Sequence, residues 1–133
     1  MGTWGHDSFE DDDALDWVFE LEKSTDTSVV VKALNAVTDG AEDLLEAPVC
    51  AMAIAAAEVV AALDGHRAPS LPEQVVEWIK GKPKPETDLK ANALRAIDAI
   101  LTDSELKSCW EDAGEHYPKW VAAVERLKAR LSA

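Results

Sequence analysis

Apolar residues recur along the chain at three- and four-residue spacing, and this predicts a succession of helices. The first is expected from about 11–13 to 21–23. Ala14, Leu15, Trp17, Val18, Phe19 and Leu21 cover a wide apolar face, and Asp12, Asp13, Asp16 and Glu20 share the opposite one. Aspartates favour such a start, because they accept exposed backbone N–H groups and complement the helix dipole. A second helix is expected from about 27 to 37, capped by Asp26 or Thr25 and stopped by Gly40. Its Val29-Val30-Val31 run makes a strand the local competitor. Val30, Leu34 and Val37 continue at helical spacing and decide for helix.

The stretch from Ala47 to Leu63 is apolar nearly all round and rich in alanine, the best helix former. It reads as a central helix buried by several neighbours, with Pro48 in its first turn and Gly65 at its end. Ser70-Leu71-Pro72-Glu73 matches a capping box and starts a fourth helix, with Val75, Val76, Trp78 and Ile79 inward and Gly81 at its end. A fifth helix is expected from about 86 to 102, with Leu89, Ala93, Leu94, Ile97, Ile100 and Leu101 on one stripe. A short helix follows, capped by Asp103 or Ser104, with Leu106, Cys109, Trp110 and Ala113 inward. Trp120, Val121, Val124, Leu127 and Leu131 mark the last, where Lys128 and Arg130 suit the C-terminal dipole. Residues 1–10 are irregular in pattern, pinned onto the rest by Trp4 and Phe9. The expected architecture is all-α: a single-domain, irregular (orthogonal) bundle of six or seven helices around the buried Ala-rich one.

Composition and charge narrow the function. The 133 residues carry a formal charge of −13, with 13 basic and 26 acidic side chains. Residues 1–66 hold 15 acids and 2 bases, Lys23 and Lys32, whereas residues 67–133 hold 11 of each. All the excess negative charge therefore belongs to the first half. A nucleic-acid binder working through a basic surface has the opposite sign, so no nucleic acid is expected as partner. The 17-residue apolar stretch contains Pro48 and Glu58, which argues against a membrane span. The opening Met1-Gly2-Thr3-Trp4-Gly5-His6-Asp7 has no basic or apolar signal region, and the two cysteines, Cys50 and Cys109, read as core thiols. Together these predict a cytoplasmic protein.

Most catalytic signatures are absent: there is no P-loop, no Gly-x-Ser-x-Gly, no His-Glu-x-x-His and no Cys-x-x-Cys. No catalytic residue, cofactor or metal ligand is assigned. Two constellations remain. Asp12, Asp13, Asp16 and Glu20 form an acidic face, which with Trp4 is the candidate surface for a basic protein partner. One helix face offers too few oxygens to hold a cation, and the EF-hand pattern fails there. The second is Glu58, alone among alanines and valines. A buried carboxylate requires a partner, so Glu58 is expected to anchor the N-terminal segment, accepting N–H groups near Trp4 and Gly5. The alternative is a functional acid in a small-molecule or metal-dependent enzyme.

The residues Met1-Gly2-Thr3-Trp4-Gly5 with Ser8 to Trp17, the Ala55–Ala62 run around Glu58, and Asp103-Ser104-Glu105-Leu106 followed by Trp110 resemble the bacterial domain-of-unknown-function family 4259. His6 departs from the pattern, where a small residue such as Thr is expected. The resemblance covers nearly the whole chain. It implies a bacterial cytoplasmic protein of about this length, and it brings no established activity and no catalytic residue. The leading functional expectation is a non-enzymatic, immunity- or antitoxin-like protein that neutralises a basic macromolecule.

Overall fold

The central helix organises the rest. A computed structural model describes residues 8–39, 45–69 and 71–133. In chain order the helices are α1 (Asp12–Lys23), α2 (Ser28–Thr38), α3 (Ala47–Leu63), α4 (Glu73–Ile79), α5 (Thr87–Thr102), α6 (Glu105–Glu111) and α7 (Tyr117–Ser132). A single 3₁₀ turn, Gly114–His116, joins the last two, and the described residues contain no strand. The fold is an all-α bundle in which α3 touches every other helix. The reason is chemical. From Ala53 to Leu63 every residue of α3 is buried, and its alanine methyls let neighbouring backbones come close on all sides. The β-branched run Val29-Val30-Val31 is helical, since Val30, Leu34 and Val37 bury one α2 stripe in the core.

Local chemistry closes the helices. Asp11 caps α1, its carboxylate accepting from the N–H groups of Asp13 at 2.8 Å and Ala14 at 3.2 Å. Ser104, not Asp103, caps α6: its hydroxyl accepts from Lys107 N–H at 3.0 Å. At α2 the cap position is Thr27, while the Asp26 carboxylate accepts from the N–H and hydroxyl of Ser28. Gly65, at φ +88°, ends α3 by letting its own N–H and that of His66 turn back to the carbonyls of Ala62 and Ala61. The start of α3 is closed from far away in sequence, as Glu105 accepts from Ala47 N–H at 2.8 Å.

Four expectations need correction or fall outside view. Phe19 is not on the buried side of α1 but 58% exposed. Two residues beyond Trp17, it is turned by roughly 200° on a helix of about 3.6 residues per turn, which places it among the acids. Helix α4 begins at Glu73, two residues later than a Ser70 cap implies; Pro72 holds the cap position without a side-chain bond, and Ser70 lies outside the described residues. On α6 only Leu106 is buried. Cys109 and Trp110 are half-buried, and Ala113 is exposed because the helix has already ended at Glu111. Trp110 instead stacks on Trp120, with ring centroids 6.3 Å apart. Gly40, the expected stop of α2, and Trp4 are likewise outside the described residues.

Two outcomes follow from this packing. Trp17, 3% exposed, should cost ~3–5 kcal/mol on change to Ala. Phe19→Ala should stay within about 0.5 kcal/mol. Urea midpoints of the two variants compare them, and equal losses would show that the inward side of α1 is misassigned. The second concerns Cys50, fully buried beside the Leu45 carbonyl. Burial pushes its thiol up from the ordinary 9.0 to about 11, with only partial relief from the Ser104 hydroxyl and the Leu106 N–H. The unfolded chain therefore loses this proton first, so stability is intact below pH 9.0 and falls as pH rises toward about 11. Thermal midpoints of Cys50→Ala should decline less steeply than wild type across that window. Parallel curves would refute the assignment.

Candidate functional site

Two regions hold the residues singled out from the sequence, and the fold keeps them apart in character. The first is the outer face of α1. Asp12, Asp16 and Glu20 are exposed and Asp13 is half-buried. None of the four is ion-paired with a lysine or arginine among the described residues. The carboxyl of Asp13 is raised above the usual range, first by partial burial and then by the neighbouring charges of Asp11, Asp16 and Asp12. The face thus stores like-charge repulsion that an incoming cation would relieve. Phe19 stands in the same arc, the sole large apolar side chain that is exposed among the described residues. Sequence reasoning missed it by counting apolar residue types; the angular position relative to Trp17 was the available signal. Trp4, the other predicted contact, lies outside the described residues.

The second region is built around Glu58. The helical phase of α3 buries this side chain to 4% exposure. It faces the C-terminal end of α7, where Arg130 donates Nη1–H to Oε1 at 2.5 Å and Nη2–H to Oε2 at 3.3 Å. The hydroxyl of Ser8 donates to Oε2 at 2.7 Å. Glu58 is therefore bound by the Ser8 hydroxyl, whereas the expected N–H donors near Trp4 and Gly5 lie outside the described residues, and its principal charge partner is Arg130, expected from the sequence only to suit the helix dipole. The signal was present: Arg130 follows Leu127 by three residues, on the inward stripe of α7. Beside the pair lies a half-enclosed cleft of about 270 Å³. Phe9, Ala68, Pro69 and Ala123 form its apolar walls, and Arg126 reaches it from one turn before Arg130.

What each region can do differs. Glu58 already accepts three donated bonds, so its oxygens have little capacity left for taking a proton from a substrate. No three His, Cys, Asp or Glu side chains come together as a metal site among the described residues. No helix there is long and apolar enough to cross a membrane. The α1 face offers negative charge and one exposed aromatic side chain.

Removing one partner of the buried pair strands the other. Arg130→Met should cost ~3–5 kcal/mol, toward the lower end because the Arg130 side chain is 23% exposed. The double variant Glu58→Leu/Arg130→Met should lose less than Arg130→Met alone. Urea unfolding of single and double variants measures this, and additive losses would show that the two side chains are not coupled.

Comparison with known proteins gives one match. The family Domain of unknown function (DUF4259) matches residues 2–123, almost the whole of the chain. Searches of curated proteins and of solved structures found no match. Of the motif residues shared with this family, Asp12 to Trp17 lie on α1, Ala55 to Ala62 on α3, and Glu105, Leu106 and Trp110 on α6, while Met1 to Gly5 lie outside the described residues. The chain belongs to the DUF4259 family.

Proposed function

We propose that this is a non-enzymatic binding protein of the bacterial cytoplasm whose α1 outer face docks a basic partner protein, as immunity proteins and antitoxins do. One observation carries the reading: an exposed Phe19 set among the carboxylates of Asp12, Asp16 and Glu20, which have no ion-pair partner among the described residues. An aromatic anchor ringed by charge of one sign is the composition of an interface hot spot, and opposite charge on the partner speeds encounter. The bland alternative, a face that merely keeps the protein soluble, does not need Phe19 in water. Cys50 and Cys109, both free thiols, fit a reducing compartment. The competing reading, an enzyme centred on Glu58, is weakened by the saturation of that carboxylate by Arg130 and Ser8.

The test is a capture experiment with matched charge changes. Wild-type protein immobilised at low salt should retain a basic protein from native cell extract and release it as salt rises. Phe19→Ala should weaken that complex by on the order of 2 kcal/mol, roughly 30-fold in Kd. Asp12→Asn/Asp16→Asn/Glu20→Gln should abolish capture. Glu73→Gln/Asp88→Asn/Glu115→Gln, an equal loss of exposed charge elsewhere, should leave it intact. Equal recovery on all four baits would end the proposal.

A further inference from the structure

Arg126 and Arg130 stand four residues apart on α7, so their side chains project to the same side. Like charges at this spacing repel and need an offset. Glu58 supplies one negative charge against two positive ones. Among the described residues that line it, the cleft therefore carries one net positive charge, in a protein whose formal charge is −13. Its polar capacity is also one-sided. A guanidinium has about five N–H donors, of which Arg130 gives two to Glu58. Arg126 has no hydrogen-bond or ion-pair partner among the described residues. The Ser8 hydroxyl hydrogen and three acceptor positions of Glu58 are already engaged. What remains are N–H donors of positive charge without a protein partner among the described residues, lining the same cleft as Phe9, Ala68, Pro69 and Ala123.

We propose that this cleft binds a small organic monocarboxylate. Its carboxylate lies between Arg126 and the remaining N–H groups of Arg130, and its apolar body lies against Phe9, Ala68 and Ala123. The volume of about 270 Å³ sits just under the ~300–1,000 Å³ typical of drug-sized sites, so the ligand is small. Arginine forks match a carboxylate in plane and charge. A divalent or polyanionic ligand would leave negative charge uncompensated beside Glu58. Glu58 acts here as a positioning residue: it fixes the Arg130 plane and limits the net charge to that of one anion.

The experiment titrates the full chain with sodium benzoate at constant ionic strength, following backbone amide resonances. Saturable shifts are expected at Ser8, Phe9, Ala68, Ala123 and Arg126. Acetate, which lacks the apolar body, should bind at least roughly tenfold more weakly. Arg126→Gln, an exposed position whose fold circular dichroism verifies, should weaken benzoate about tenfold or more. Glu58→Gln raises the local charge and should tighten binding where the variant folds; Arg126→Gln decides where it does not. No saturation up to ~10 mM benzoate would overturn the site. So would identical shifts with sodium chloride or inorganic phosphate, or unchanged benzoate affinity in Arg126→Gln. The α1 variants above should bind benzoate normally, so the two proposals fail separately.

Discussion

One ionised side chain in the middle of an alanine helix constrains the packing around it. Leaving the Glu58 carboxylate unpartnered in that position would be costly, so a cation must reach the waist of α3. Arg130 does so from the far end of the chain, and Ser8 does so from near the start. Both meet at one carboxylate because the alanines of α3 keep the surrounding helices close. A buried ion pair is weak as a source of cohesion, since desolvation offsets most of its attraction. Its consequence is directional. Apolar contacts such as Leu127 and Leu131 would tolerate several placements of α7, whereas a bidentate contact to Glu58 admits few.

The same bookkeeping of charges explains why α1 stays acidic. Of the five second-half bases that pair with carboxylates among the described residues, three do so within that half: Lys80 with Glu77, Lys107 with Glu111 and Lys128 with Asp98. Two reach back into the first half, and both go to α3 or its end. Arg130 takes Glu58, and Lys90 takes Asp64 at 2.8 Å, holding that carboxyl below its usual range. The exposed pairs, Lys80 with Glu77 and Lys128 with Asp98, contribute little stability. Together the five pairs leave Asp12, Asp13, Asp16 and Glu20 without a lysine or arginine partner among the described residues, Lys23 lying at the far end of α1.

The legibility of this structure in its sequence follows the range of the forces involved. Helix α3 runs from Ala47 to Leu63 as the pattern requires, because alanine propensity, Pro48 and Gly65 are all local. The stripe of α5 is equally local: Ala93, Ile97 and Ile100 are buried as expected. What escaped depends on angle or on distance along the chain. Phe19 was misplaced because a wide apolar face was inferred from residue type where the helical phase separates it from Trp17 and Leu21. Arg130 and the Glu105 cap of Ala47 join positions 72 and 58 residues apart, and only the topology brings them together. The cleft with Arg126 depends on those same long-range contacts, so it had no signature in sequence beyond two arginines at helical spacing.

The two charged regions obey different electrostatics. A basic partner docking at α1, as proposed, would gain from the summed field of the acidic half, so its encounter would be fast at low salt and slow when that field is screened. The arginine cleft works against the same field: at long range the protein repels an anion. At physiological salt the Debye length is about 8 Å, so an approaching carboxylate senses mainly Arg126, Arg130 and Glu58 once it is within one such length. Added inert salt weakens the long-range repulsion and the local attraction together. The salt dependence of a small anion at the cleft should therefore be shallower than that of a basic protein at α1. This contrast arises from where the chain places its bases, with Arg130 paired to Glu58 of α3 and Arg126 lining the cleft beside it.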